Sequence, residues 1–107
     1  MNMTTNNRRD KLEAFVAAKP ADAFARYGLA LECANLGDAP AAEEHFKHLL
    51  EHHPTYVATY YQYGQLLTQL ARNDEAKRIL SSGIVVAQKA GNSHARDEMQ
   101  AALSLLA

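Results

Sequence analysis

Residues of matching size return at a spacing of 34 positions along this chain. Leu12, Phe46 and Leu80 form one series, Phe15, Leu49 and Gly83 a second, and Val16, Leu50 and Ile84 a third. Pro20 and Pro54 continue the pattern, with Gln88 at the third place. A period of this length, carried by large and small apolar residues, fits a pair of helices that buries its apolar side only by stacking on the next pair. Residue identity across the repeats is low. Size at each position recurs, and size is what packing preserves.

Two more helical stretches lie between these segments, over about Ala21–Leu36 and Thr55–Ala71. Gly37-Asp38 is a helix stop followed by a start, and Asn73 or Asp74 is placed to cap the next helix. Pro20 and Pro54 lack a backbone donor and separate successive helices. No sustained two-residue alternation and no Asn-Gly or Asp-Gly hairpin turn occurs, so the expected class is all-α.

The spacings carry a specific likeness. One repeat reads Arg26, Leu29-Ala30, Cys33, Ala42, Phe46 and Pro54, and the next reads Tyr60, Tyr63-Gly64, Leu67, Ala76 and Leu80. From about Asp10 onward the chain resembles the tetratricopeptide repeat family, whose pattern is a large aromatic, Leu-Gly, an aromatic, a small residue, an aromatic and a closing proline. Arg26 departs from it in place of an aromatic, which weakens the packing of its helix. Gln88 replaces the last proline, so that helix is expected to run on towards Gly91.

The resemblance implies a short right-handed α-solenoid of antiparallel helix pairs. It would comprise a half repeat, two full repeats and a capping helix, six helices in all. The expected organisation is a flexible N-terminal tail over residues 1–9 and a single helical repeat domain over 10–107. Small residues at Ala30, Ala42, Gly64 and Ala76 would let helix backbones approach to about 8 Å, with Phe46, Leu49, Tyr60 and Leu80 filling the layer between. Gly83 costs about 1 kcal/mol against Ala inside a helix, so close backbone contact is its expected reason. From Ser93 on, Ala95, Met99, Ala102, Leu103 and Leu106 form one apolar stripe for the capping helix.

Composition narrows the function. The 107 residues give one apolar core, and 11 basic against 12 acidic residues leave no excess of positive charge for a phosphate backbone, so no nucleic acid is expected. Cys33 is the single cysteine, so no internal disulfide forms. No apolar run is long enough to span a bilayer and no signal-peptide pattern is present, so no membrane is expected and the cytoplasm is the expected compartment.

Chemistry-bearing residues are few. His45, His48, His52 and His53 share one helix, and His48 and His52 have the spacing of a helical metal pair. A zinc site needs three or four convergent ligands, and no HExxH motif is present, so no metal is expected and the histidines are read as an outward face. At an ordinary pKa near 6.5 they would charge on mild acidification. Cys33 falls in an apolar stripe with Leu29 and Ala30 and is read as a small core residue. With no serine elbow, phosphate loop or dinucleotide fingerprint, the chain is expected to be no enzyme and to hold no cofactor.

Tyr27 and Tyr61 stand 34 positions apart on the first helix of each pair. The family resemblance implies a concave peptide groove on these helices, lined by Phe24, Tyr27, Leu31, Asn35, Ala58, Tyr61, Gln65 and Gln69 and extended by Arg96 and Gln100. An alternative reading has Phe24, Tyr27 and Leu31 completing the core. Relatives that clamp acidic chaperone tails use Lys, Arg and Asn in this groove. The corresponding places here hold Tyr27, Leu31, Tyr61 and Gln65, which suit apolar and amide contacts better. The expected function is a non-enzymatic protein–protein interaction module binding a peptide segment, as a monomer or weak homodimer. The alternative is a structural or self-associating subunit of a larger assembly.

Overall fold

A computed structural model describes residues 4–106, with side chains from Asn7 onward. Among the described residues there are six helices and no strand: α1 Thr4–Ala18, α2 Ala23–Asn35, α3 Ala39–His52, α4 Ala58–Gln69, α5 Asn73–Lys89 and α6 Ser93–Ser104. The chain is all-α, and its contacts cluster in two compact units, Met1–His53 and Pro54–Ala107.

In the first unit the starts of α2 and α3 are chemically explicit. Asp22 accepts from the Ala25 N–H at 2.9 Å to cap α2. Asp38 accepts from the Ala41 N–H at 3.2 Å to cap α3, and Pro40 sits in the first turn, where its missing N–H leaves no bond unmade. The Asp38 carboxylate also meets the Arg9 guanidinium at 3.0 Å, and Arg9 reaches Glu13 at 3.1 Å. The Ala41 N–H and then Arg9 hold Asp38 below the usual carboxylate range. Helix α1 starts at Thr4, inside the stretch 1–9 expected as a tail, and residues 1–3 lie outside the described residues. The core of this unit is Val16, Ala25, Leu29, Ala30, Cys33, Ala42, Phe46 and Leu49. Cys33 has no exposed surface and burial pushes its thiol up, as suits a packing residue.

The second unit is built around backbone proximity. A Cβ added at Gly64 would lie 2.6 Å from Leu80 Cδ2, and one at Gly83 would lie 2.5 Å from Tyr60 Cβ and against Met99 Sδ. Gly83 therefore has the role its position implied. Around these contacts Tyr60, Tyr63, Leu66, Leu67, Ala76, Leu80, Ala87 and Met99 are buried. Of the α6 stripe only Met99 is fully buried; Ala95, Ala102, Leu103 and Leu106 are half-buried. The cap expected from Asn73 or Asp74 is absent. Arg72 takes the cap position without a side-chain cap bond, because α5 already begins at Asn73. The Arg72 guanidinium instead donates to both Glu75 carboxylate oxygens at 2.8 Å.

Three helix ends close in the same way. Gly37, Ala71 and Gly91 have φ of 81°, 60° and 71°, and each following N–H bonds back to the last turn, as Asp38 to Cys33, Arg72 to Leu67 and Asn92 to Ala87. Ala71 is the exception in chemistry, since a left-handed L-residue costs about 1 kcal/mol.

Arg26 and Tyr60, one repeat apart, converge on one structural task. The Arg26 Nη2 donates to the Pro20 carbonyl at 3.3 Å, and the Tyr60 hydroxyl donates to the Pro54 carbonyl. Arg26 thus replaces the aromatic ring while keeping its hydrogen bond.

Candidate functional site

The predicted groove residues divide between α2, α4 and α6. On α2, Phe24 is 74% exposed, Tyr27 and Leu31 are half-buried, and Asn35 is exposed. Phe24 therefore does not complete the core. On α4, Ala58 and Gln69 are exposed and Tyr61 and Gln65 are half-buried. On α6, Gln100 is exposed, whereas Arg96 is half-buried and holds Asp97 at 3.0 Å.

Tyr61 and Gln65 come together at a cleft of about 320 Å³ between α4 and α6. Both residues lie on one face of α4, four positions apart, and the Gln65 side-chain amide donates to the Tyr61 hydroxyl oxygen at 3.2 Å. The tyrosine thereby acts as acceptor to its neighbour and keeps its own O–H to donate. Thr68 continues the wall, and Glu98, Ala101 and Leu105 form the other side. The arrangement offers an apolar slot with an amide, a phenol and one carboxylate at its edge. Such a slot suits an inserted side chain flanked by peptide groups; no nucleophile–base pair lines it.

Sequence reasoning did not single out the α6 side of this cleft. Ala102 and Leu106 were read only as part of the capping helix's apolar stripe, yet both line it. The available signal was Leu105, an apolar residue beside the stripe, which is 86% exposed.

The histidines of α3 are not all turned outward. His45 and His48 are half-buried while His52 is exposed, and the His48 and His52 rings stack obliquely with centroids 4.3 Å apart. Arg26 Nη1 lies 3.3 Å from His45 Nδ1. Among the described residues no three potential ligands converge on a metal position. Burial and then the Arg26 charge hold both His45 and His48 below the ordinary value of 6.5, against a smaller opposing pull from Glu44 on His45 and Glu51 on His48.

A pH dependence follows. Below pH 6.5 the unfolded chain binds protons at these histidines more readily than the folded chain does, so their contribution to stability is present above 6.5 and is lost as the pH falls through the lowered values. Asp38 acts in a separate window below 3.8. The thermal midpoint is expected to fall between about pH 7 and about pH 5, and the double variant His45→Gln, His48→Gln is expected to flatten that fall. Equal slopes in the two proteins would contradict it.

Comparison with known proteins agrees with this geometry. A family model described as "Tetratricopeptide repeat" matches residues 35–107, well over half of the chain. The crystal structure of a tetratricopeptide repeat domain protein from Salinibacter ruber is 38% identical, with a TM-score of 0.76, covering 79% of this chain and 94% of that one. A solution structure of a tetratricopeptide repeat domain protein from the same organism gives 38% identity and a TM-score of 0.79, covering 82% and 89%. A solution structure of a Bordetella parapertussis protein is 26% identical, with a TM-score of 0.79, covering 92% and 85%. No curated protein matches the chain in sequence. With the 34-residue period, the paired helices and these matches together, the chain belongs to the tetratricopeptide repeat family.

Proposed function

We propose that this protein binds an extended or helical peptide segment of another protein, using the face of α4 that carries Tyr61 and Gln65. Repeats of this family are generally protein-interaction modules and generally carry no catalysis. The observation that carries the reading is the cleft beside α4, where a half-buried tyrosine and a glutamine amide stand at the edge of an apolar slot. The α2 face with Phe24, Tyr27, Leu31 and Asn35 would offer contacts of the same kind, as would Ala58, Gln69, Arg96 and Gln100. An exposed phenylalanine and two tyrosines suit apolar and amide contacts rather than a clamp for carboxylates.

Peptides enriched by the protein from a displayed library of random dodecapeptides provide the test. Aromatic anchors carry a large share of interface energy, so Tyr61→Ala is expected to weaken binding of the enriched peptides by about 1–3 kcal/mol. The thermal midpoint should barely change, because Tyr61 is not among the buried residues of its unit. Unchanged affinity in calorimetric titration would remove the reading.

A further inference from the structure

Helices α1 and α6 occupy complementary positions in the repeat. In register, α1 is a second helix, with Leu12 and Phe15 at the places of Phe46 and Leu49, and α6 is a first helix, with Asp97, Glu98 and Ala101 at the places of Tyr63, Gly64 and Leu67. The complete repeats bury these places: Phe46 is 1% exposed, Leu49 and Leu67 0% and Tyr63 3%. Among the described residues, those on α1 and α6 are more open, with Leu12 half-buried. Phe15 is 49% exposed, and Asp97, Glu98 and Ala101 are exposed.

Charge on the two open faces is sorted by sign. The uncovered face of α1 carries Arg8, Lys11 and Phe15 beside a hollow of about 440 Å³. Of the two acidic residues of α1, Glu13 is turned to Arg9, and Asp10 lies off the 8–11–15 helical spacing. The uncovered face of α6 carries Asp97 and Glu98 with Ala101 and Leu105. Arg8 reaches Glu32 at 3.5 Å, yet its side chain remains 80% exposed. Asp97 touches Arg96 and Glu98 touches His94, leaving their side chains 66% and 45% exposed. Polar residues on a terminal helix would serve solubility with either sign; opposite signs on the two halves of one repeat are a complementary pair.

We propose that α6 of one copy docks on α1 of a second copy, completing a repeat between chains. Within the chain, Gly64 lies against Leu80, and the same register sets Glu98 over Leu12 of the second copy, one helical turn from Arg8 and beside Lys11. By the same register Phe15, at the place of Gly83, faces His94, at the place of Tyr60, and Arg8 comes beside Ala101. A glutamate where the complete repeat has glycine keeps these two helices further apart, so the contact is small and concentration-dependent. Because the two surfaces differ, the association is head-to-tail.

Sedimentation velocity over a concentration series tests this. The wild type should sediment faster as concentration rises at low salt, and the effect should fade as salt screens the charges. Arg8→Glu alone and Glu98→Arg alone should each stay monomeric, and an equimolar mixture of the two should associate again, since each supplies the sign the other lacks. Arg8 is outside the α4–α6 cleft, so its variant keeps every residue that lines the cleft. A wild type that remains monomeric up to its solubility limit would overturn the proposal. So would an association that both single variants retain, or a mixture that stays monomeric.

Discussion

Gly64→Leu is expected to lower stability by at least about 2 kcal/mol. Two effects oppose one another at this position. Leucine favours a helix over glycine by about 0.8 kcal/mol, but its first carbon would already lie 2.6 Å from Leu80 Cδ2 and 2.8 Å from Leu80 Cγ. Leu80 has no exposed surface into which it could retreat. The added side chain has to push α4 from α5, and the contact outweighs the propensity. Gly28→Ala is the internal control: its Cβ meets Leu12 Cδ2 at an ordinary 3.6 Å, so propensity wins and stability should hold or rise slightly. Chemical denaturation of both variants reads the difference. An unchanged midpoint for Gly64→Leu would mean that the repeat phase assigned here is displaced.

Phe46→Ala is expected to cost about 3–5 kcal/mol through lost burial and an unfilled cavity. Phe46 is 1% exposed, and Leu29, Cys33 and Leu49 of the same unit's core are as enclosed. The ring anchors α3 in a unit of only three helices, so little other apolar area remains to compensate. Phe24→Ala removes the same ring from a site 74% exposed and should change stability by no more than about 0.5 kcal/mol. A denaturation midpoint for Phe46→Ala close to that of Phe24→Ala would contradict the burial pattern.

The fold was legible because its determinants are local and periodic. Phe46 and Leu80, or Ala42 and Ala76, report their burial by residue size at a fixed interval. Gly83 reported a close contact by being costly where it stands. What stayed hidden depends on partners distant in sequence. Nothing near Arg9 announces that Asp38 lies 3.0 Å away, so the first turns of α1 read as a loose tail. His45 looks solvent-facing until Arg26 is placed beside it. The candidate site was half visible: Tyr61 and Gln65 share a helix face by spacing alone. The opposing wall comes from α6, where Ala102 and Leu106 carry a core-like pattern although they border an open cleft.

The paired hydrogen bonds of Arg26 and Tyr60 bear on how duplicated units drift apart. Both donors end on a main-chain carbonyl, that of Pro20 and that of Pro54. No substitution at an acceptor's own position can delete a main-chain oxygen, so only the donor is exposed to mutational loss. A guanidinium and a phenol share little chemically beyond an N–H or O–H group at the end of a long side chain. What is inherited at this place is reach and a terminal proton, which lets two copies lose their likeness in letters while the tether between helix and preceding turn persists.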